Sequence, residues 1–165
     1  MAPDALSNPS NRGYKFPHLG RPLGSLMIKV KRIDHVAIAV ADRDGAAAHL
    51  GNLFGLAAGA REHVAAQQTD VAFLDCADAA LEIIAPAGNP GLARFLDRRG
   101  PGLHHVCFEV DDLPEALAAL KAAGVRLIDE APRPGARGHL VAFLHPSATG
   151  GVLFELCARA PGAHA

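Results

Sequence analysis

Residues 33–55 have the sequence IDHVAIAVADRDGAAAHLGNLFG, and residues 103–124, at an offset of 70, have the sequence LHHVCFEVDDLPEALAALKAAG. The two stretches superimpose so that His35 falls on His105 and Asp42 falls on Asp112. The same offset places the tetrapeptide VAFL at 71–74 on a second VAFL at 141–144. With three extra residues in the second copy, LEIIA at 81–85 aligns with FELCA at 154–158. The chain therefore contains an internal duplication.

Each copy is predicted to contain a strand, a helix and three further strands. The first segments, Ile33–Val40 and Leu103–Val110, alternate with period two and are rich in β-branched residues, which is typical of strands. Asp42 and Asp112 are suited to cap the alanine-rich helices that follow, and a glycine ends each helix. The remaining predicted strands are Glu62–Ala66, Val71–Leu74, Leu81–Ile84, Val125–Asp129, Leu140–Leu144 and Val152–Cys157.

The duplication organises the chain into one domain built from two modules. Module one is predicted over about residues 32–87 and module two over about 102–158, with a linking helix over about 90–99 that Asn89 caps. The whole domain is predicted over residues 28–160, with a disordered tail at 1–27 and a short tail at 161–165. We expect an α+β fold in which tandem βαβββ modules form one open, β-barrel-like sheet.

Composition argues against several classes of function. The 165-residue chain has a formal net charge of −1 with its basic residues spread along its length, so nucleic acid is not an expected partner. No apolar run approaches the roughly 18 residues of a membrane span, and the N-terminus lacks the apolar core of a secretory signal. The three cysteines, Cys76, Cys107 and Cys157, are predicted to be small core residues of a protein in a reducing compartment. We expect a cytoplasmic protein that contacts neither nucleic acid nor membrane.

Four polar side chains occupy matched positions in the two copies. Strand alternation places His35 and His105 on the face opposite the branched residues that should pack on the helices. Glu82 and Glu155 each lie inside the last apolar strand of a module, where a carboxylate is unfavourable unless it is paired. An approximate twofold relation between the modules would bring all four together. Two imidazoles and two carboxylates suit one divalent metal ion, such as Co, Mn, Ni, Zn or Fe.

The paired modules and these ligands resemble the vicinal oxygen chelate superfamily, which includes glyoxalase I, extradiol dioxygenases, bleomycin-resistance proteins and methylmalonyl-CoA epimerases. The resemblance extends from Ile33 to about Arg159. Its most specific parts are similar to the methylmalonyl-CoA epimerase family: IDHVAIAV (33–40), PGLARFLDRRGPGLHHVCFEVDDL (90–113), GVRLIDEAPRPGARG (124–138) and VAFLHPSATGGVLFELC (141–157). The metal-binding pattern of that family, His, Gln or Glu, His, Glu, falls on His35, Glu82, His105 and Glu155.

This resemblance implies an isomerase that interconverts (2R)- and (2S)-methylmalonyl-CoA through a metal-stabilised enolate. It also implies an acyl-CoA substrate, a homodimer, and Glu155 as a catalytic base that touches the metal. Inverting the C2 centre needs one group to remove a proton and another to return it on the opposite face. Family members with a second catalytic glutamate carry it at the position that aligns with Val71, which cannot exchange a proton. Glu82 is then the candidate second catalytic base, with Glu62 or a water molecule as alternatives.

The loop residues Arg133 and Arg137 lie in a segment that resembles the loop over the acyl-CoA in this family. They are expected either to meet phosphates of the substrate or to be solvated. His104, by strand alternation, is predicted to point to the packed face.

Three other functions stay open on the sequence alone. A glyoxalase I-like lactoylglutathione lyase also uses two histidines and two glutamates. An extradiol dioxygenase would use His35, His105 and Glu155 as a facial triad, but Glu82 would crowd the positions that oxygen and catechol need. A metal-free binding module of the bleomycin-resistance type is the third alternative. The metal content of the purified protein discriminates among these classes.

Overall fold

The computed structural model describes residues 28–159. The tails predicted at 1–27 and 161–165 lie outside the described residues. The described part contains eight strands and three α-helices: β1 (Val30–Ala39), α1 (Arg43–Phe54), β2 (Ala57–Val64), β3 (Thr69–Cys76), β4 (Ala79–Pro86), α2 (Pro90–Arg99), β5 (Gly102–Val110), α3 (Leu113–Ala122), β6 (Arg133–Pro134), β7 (His139–Leu144) and β8 (Phe154–Arg159).

All eight strands form one sheet in the order β2-β3-β4-β1-β5-β8-β7-β6, which curls into a half-barrel. β1 and β5, the first strand of each copy, pair antiparallel at the centre of the sheet. Each of them also pairs in parallel with the last strand of its own copy, β1 with β4 and β5 with β8. From the centre outward the two halves therefore have the same strand order. The predicted α+β fold of tandem βαβββ modules in an open, barrel-like sheet is confirmed.

Helices α1 and α3 cover the convex face of this sheet. Ile38 of β1 and Val40, which directly follows it, pack with residues of α1, and Phe108 and Val110 of β5 pack with residues of α3, as strand alternation predicted. The aspartates cap these helices as expected, because the Asp42 carboxylate accepts the N–H of Gly45 and the Asp112 carboxylate that of Glu115. None of the helices within residues 28–159 has the length and apolar character needed to cross a bilayer.

The linking helix α2 lies instead on the concave side of the sheet. The Asn89 side chain caps it by accepting the backbone N–H groups of Gly91 and Leu92, each at 2.9 Å. Leu92 is buried in a cluster with Ala37, Val71, Phe73 and Ile84, which line the inner surface of the first half. This docking fixes α2 beside the concave surface, where the polar residues of the central strands meet.

The prediction of a strand over Val125–Asp129 is wrong. Leu127 forms an isolated bridge with β7, and β6 consists of Arg133–Pro134 alone. The Asp129 carboxylate accepts the backbone N–H of Phe143 at 2.9 Å, so a side chain takes the place of a strand carbonyl and the regular ladder stops. Prolines on both sides of Arg133 have no N–H with which to extend the pairing.

Two smaller predictions also need correction. β2 spans Ala57–Val64 rather than Glu62–Ala66, because the chain turns through a 3-10 helix from Ala65 to Gln67. Cys76 is exposed at the end of β3, next to Ala77, which adopts a left-handed turn conformation with φ of 50°. Cys107 and Cys157 are buried, as expected for core residues.

Candidate metal centre

The four central strands each present one potential metal ligand on the concave face: His35 on β1, Glu82 on β4, His105 on β5 and Glu155 on β8. These are the four residues that the duplication predicted. The strand register explains why they meet. Glu82 lies opposite Ala37, which lies opposite His105. In the other half, Glu155 lies opposite Cys107, which lies opposite His35. The two arrangements are related by the twofold symmetry of the sheet.

The donor atoms of these residues converge on one point. His35 Nε2 lies 3.2 Å from His105 Nε2, 3.2 Å from Glu82 Oε2 and 3.1 Å from Glu155 Oε2. His105 Nε2 lies 3.0 Å from Glu155 Oε2 and 3.7 Å from Glu82 Oε2. Atoms that bind one ion at about 2.1 Å lie about 3.0–3.4 Å apart. Four of the five separations match those expected around a single divalent ion, and the exception is the 3.7 Å between His105 and Glu82. His35, His105 and Glu155 form the compact part of the group.

The four residues are buried, each with at most 5% of its surface exposed, so their charges interact strongly. Burial alone would raise the pKa of Glu155, but hydrogen bonds from His105 and His35 hold it well below its usual range. Burial alone would lower the pKa of His35, but the charge of Glu82 and hydrogen bonds to neighbouring carboxylates raise it to about 12. The buried imidazoles and carboxylates thus stabilise one another's charged forms. A bound cation would compensate the carboxylates in place of a protonated imidazole.

Asp34 belongs to the candidate site but was not predicted from the sequence. Its carboxylate lies 2.8 Å from His35 Nδ1 and is 1% exposed. Alternation should place Asp34 and His35 on opposite faces, but an irregularity in the β1–β5 ladder between Ile33 and His35 lets both be buried. A carboxylate on Nδ1 fixes the imidazole with Nε2 free to bind a metal. Its only signal in the sequence is an acid directly before the histidine.

Two arginines stabilise the buried Asp34 carboxylate. Arg32 Nη2 lies 3.1 Å from Asp34 Oδ1, and Arg137 Nη2 pairs with Asp34 Oδ2. Burial opposes ionisation, but the hydrogen bond with His35 and the charge of Arg137 lower the pKa of Asp34 overall. The carboxylate is therefore ionised and oriented when it contacts His35.

His104 is the equivalent of Asp34 in the second copy. Its Nδ1 lies 2.9 Å from Nδ1 of His105, and its ring packs edge-on against Phe95 of α2 at 4.9 Å between centroids. The prediction that His104 points only to the packed face is incomplete, because the side chain also lines the cavity. Burial, and then the charge of His105, lower the pKa of His104 to about 4. The ring of His104 is therefore neutral where it contacts His105.

The four candidate ligands line a cavity of about 210 Å³ whose walls combine apolar side chains with further polar and charged ones. Phe73 and Phe143 occupy equivalent positions in its walls and contact His35 and His105 edge-on, at 6.0 and 5.1 Å between centroids. Val71 also lines the cavity and is 2% exposed. The position that sequence analysis associated with a second glutamate is thus an apolar wall next to the ligands.

The loop arginines fold toward the cavity. Arg137 stacks on Phe73, with Cζ 4.1 Å from the ring centroid, and its backbone N–H donates to Glu62 Oε1 at 2.7 Å. Arg133 pairs with Asp129 at 3.1 Å and lies over Phe143. Both arginines line the cavity rather than extending into solvent. Glu62 anchors the loop and is not among the residues that line this cavity.

Comparison with known proteins agrees with this geometry. Residues 34–143 match the sequence model of the Glyoxalase/Bleomycin resistance protein/Dioxygenase superfamily. The chain belongs to this superfamily.

Similar proteins show to which family within this superfamily the chain belongs. It is 42% identical to the Uncharacterized protein YqjC of Bacillus subtilis, covering 78% of this chain and 92% of the relative. It is 38% identical to the Ethylmalonyl-CoA/methylmalonyl-CoA epimerase of Cereibacter sphaeroides, covering 77% and 97%. The crystal structure of Methylmalonyl-CoA epimerase from Mycobacterium tuberculosis superposes with a TM-score of 0.76 at 36% identity, covering 80% and 90%. Within the superfamily the chain is thus placed among the methylmalonyl-CoA epimerases.

Proposed function

We propose that this protein is a metal-dependent isomerase that interconverts (2R)- and (2S)-methylmalonyl-CoA. The observation that carries the proposal is the convergence of two imidazoles and two carboxylates in one buried cavity. The names of the Cereibacter and Mycobacterium relatives support the substrate class, since both are epimerases of malonyl-type CoA thioesters.

His35, Glu82, His105 and Glu155 would hold one divalent ion, for which Co, Mn, Ni, Zn and Fe suit the nitrogen and oxygen donors. When bound, the ion would supply the positive charge that stabilises the enolate formed by loss of the C2 proton. Asp34 and His104 would hold the two imidazoles in the ligating tautomer through their Nδ1 atoms.

Glu155 and Glu82 would exchange the proton on the two faces of the substrate. In the sheet, β4 and β8 flank the central β1–β5 pair, so the two carboxylates approach the centre from opposite sides. Both lie within 3.2 Å of His35 Nε2. Two positioned groups on opposite faces are what inversion at C2 requires. Glu62 does not fit this role because it binds the backbone of Arg137 outside the cavity.

The apolar wall is part of the proposed chemistry. Val71, Phe73 and Phe143 surround the carboxylates with side chains that neither donate nor accept protons. A carbanion equivalent in such surroundings is protected from protonation by bulk water, so the proton returns from Glu82 or Glu155. The electrostatic interactions of the bound substrate are also strengthened in a cavity of low polarity.

A proton-exchange experiment tests the proposal. The metal-loaded protein is incubated with one epimer of methylmalonyl-CoA in D2O, and exchange at C2 is followed by NMR. We expect deuterium at C2 together with formation of the other epimer. Absence of both events, in protein shown to contain stoichiometric metal, would overturn the proposed function.

A counter-assay separates this activity from that of glyoxalase I. Two histidines and two glutamates are also the donor set that the sequence analysis associated with glyoxalase I. Consumption of methylglyoxal with glutathione is followed optically for the same metal-loaded preparation. Turnover of the hemithioacetal without C2 exchange of the CoA thioester would assign the site to the lyase.

We also propose that the protein is a homodimer, as its resemblance to the epimerase family implies, and that it is cytoplasmic, as its unpaired cysteines favour. Light scattering coupled to size-exclusion chromatography measures the mass directly. A mass of one 17.1 kDa chain at assay concentrations would refute the dimer.

A further inference from the structure

A short segment of the second half, the arginine loop of residues 133–138, crosses to the first half of the sheet. The backbone N–H of Arg137 donates to Glu62 Oε1 on β2 at 2.7 Å. Its guanidinium carbon lies 4.1 Å from the ring centroid of Phe73 on β3, and its Nη2 pairs with Asp34 in β1. Arg137 thus contacts three strands of the other half.

The contact with Asp34 reaches the candidate metal centre through a single oxygen atom. Asp34 Oδ2 accepts from Arg137 Nη2 and also lies 2.8 Å from Nδ1 of His35, a candidate ligand. The side chain of Asp34 has no exposed surface, so its protein partners rather than bulk water set the position of the carboxylate. A shift of the His35 ring is therefore transmitted to the guanidinium, and the reverse also holds.

The conformation of Arg137 is unfavourable in two respects. Its φ of 54° lies in the left-handed region, which residues with a side chain rarely adopt. Its Nε is the only buried side-chain nitrogen or oxygen atom without a hydrogen-bond partner among residues 28–159. Both features cost free energy. An arginine in such a place indicates that its side-chain contacts matter beyond the stability of the loop.

We propose that Arg137 is a positioning residue that makes the order of the arginine loop depend on the ion at the metal centre. Through Asp34, an ion that fixes the His35 imidazole also fixes the guanidinium, and with it the part of the cavity wall formed by Ala136 and Arg137. Such coupling is reciprocal, so docking of the loop should strengthen metal binding by the same factor. The inference rests on the metal centre of the proposed function, but not on the reaction or the substrate.

Hydrogen–deuterium exchange followed by mass spectrometry tests the coupling in the absence of substrate. In the wild type, Co²⁺ should slow the exchange of backbone amides in the arginine loop. In Arg137→Gln, Co²⁺ should still slow exchange in the ligand strands β1 and β8, but not in the loop. An effect of Co²⁺ on the loop that is the same in both proteins, whether slowing or none, would overturn the inference.

Metal affinity provides the reciprocal measurement. By competition with a chromogenic chelator, the Co²⁺ dissociation constant of Arg137→Gln should be roughly five- to tenfold above that of the wild type. Arg133→Gln is the matched control, because Arg133 also lies over a cavity phenylalanine, Phe143, and pairs with an aspartate. That aspartate, Asp129, accepts a backbone N–H of β7 rather than contacting a candidate ligand. The control should keep the wild-type dissociation constant, and equal weakening in both variants would overturn the inference.

A double variant separates a positioning role from a general loss of structure. If Arg137 acts through Asp34, Arg137→Gln should have little further effect on Co²⁺ affinity in an Asp34→Asn background. Effects that multiply would show two independent roles and overturn the inference. If Arg137→Gln does not fold, Arg137→Lys provides the same comparisons, because lysine keeps the charge but lacks the planar fork of donors.

The same measurements distinguish a failure of this inference from a failure of the proposed function. A wild type that binds no divalent ion would reject both. A wild type that binds Co²⁺ without the coupling would reject the role of Arg137 and leave the proposed function standing. Coupling in a protein that does not exchange the C2 proton would reject the function and retain the role of Arg137.

Discussion

The two candidate ligand histidines are equivalent in the duplication but differ in the partner of each Nδ1 atom. His35 has the carboxylate of Asp34 at 2.8 Å, whereas His105 has the neutral ring of His104 at 2.9 Å. Asp34 and His104 occupy the same position of the repeat. A carboxylate partner increases the basicity of an imidazole ligand more than a neutral ring does. Divergence at one repeat position has therefore made the two halves of the site chemically unequal.

Replacing Asp34 should weaken the metal centre without removing a ligand. In Asp34→Asn the amide cannot accept the Nδ1 proton of His35 as a charged partner, so we expect metal affinity to fall about 10- to 100-fold. Competition with a chromogenic chelator measures the dissociation constant. Asp70→Asn is the matched control, because Asp70 contacts Nδ1 of His63 at 2.8 Å in an exposed pair away from the ligands. Equal metal affinity of the two variants would show that Asp34 has no special role.

Replacing each of the two glutamates by glutamine should have different effects on metal binding and on proton exchange. Glu155→Gln should abolish metal binding and reduce C2 exchange by at least roughly 100-fold, because a ligand and a base are lost together. Glu82→Gln should keep the metal, since the metal-binding pattern of the family accepts Gln as well as Glu at this position and only Glu at that of Glu155. Metal analysis and deuterium exchange are measured on the same preparations. Full exchange activity in Glu82→Gln would show that Glu82 is a ligand only and that another group returns the proton.

The affinity for the metal should depend on pH, and the raised pKa of His35 determines the direction of the change. In the metal-free protein His35, with its pKa raised to about 12, carries a proton at neutral pH. Ligation needs the neutral imidazole, so the metal must displace this proton. Affinity should therefore fall as the pH is lowered, by up to about tenfold per unit for one displaced proton. Calorimetry in buffers of different ionisation enthalpy counts the protons released. Binding heats that are the same in all buffers would contradict the displaced proton.

The four candidate donors could be predicted from the sequence alone, because the duplication allows one half of the chain to be compared with the other. A histidine and a glutamate at matched strand positions restrict the geometry far more than a single residue does. Asp34 could not be found in this way, since its equivalent is His104 and its burial depends on an irregular ladder. The ion pair of Arg137 with Asp34 was equally inaccessible, because it joins residues 103 positions apart.

At the scale of helices and strands, the sequence predicted structure best where the signals, helix caps and hydrophobic periodicity, act within a few residues. Asp42, Asn89 and Asp112 begin helices as expected. Predictions failed where pairing depends on a distant partner. Val125–Asp129 has the apolar character of a strand, but the acceptor for the backbone N–H of Phe143 in β7 is the side chain of Asp129, and the segment forms an isolated bridge rather than a ladder. Hydrophobic periodicity does not reveal a hydrogen bond between a side chain and a distant strand.

Helix α2 should matter for substrate binding as well as for stability. Asn89→Ala removes the acceptor for Gly91 and Leu92 N–H and a donor to the carbonyl of Gln67 at 2.8 Å. A lost cap costs about 1 kcal/mol, so the melting temperature should fall by a few degrees. KM should rise as well, because Asn89 and Leu92 line the cavity of the candidate metal centre.

Asp42→Ala is the matched control for this cap. It removes the N-cap of α1, on the convex face, and should lower the melting temperature by a similar amount without changing KM. Thermal denaturation followed by circular dichroism and steady-state kinetics measure the two quantities. A KM that is unchanged in both variants would mean that α2 does not position the substrate.

For the whole molecule, the important feature is that the candidate centre lies at the junction of the two halves. Each half contributes one imidazole and one carboxylate, and the β1–β5 pair that joins the halves carries both histidines. A cation held by all four residues ties β4, β1, β5 and β8 together. Neither half contains a complete set of ligands, so metal binding is coupled to the integrity of the entire sheet.

Removal of the metal should therefore destabilise the whole domain. An ion at about 100 times its dissociation constant stabilises the native state by about 2.7 kcal/mol, which corresponds to roughly 10 °C in melting temperature for a domain of this size. Calorimetric melting is compared for protein treated with EDTA and for protein resupplied with Co²⁺ or Zn²⁺. Mg²⁺ at the same concentration should restore less, because it favours oxygen ligands over imidazole. Glu155→Gln should melt at one temperature with or without Co²⁺, and a normal shift in that variant would mean that the stabilising ion binds elsewhere. Two separate transitions after EDTA treatment would instead show that the halves fold independently.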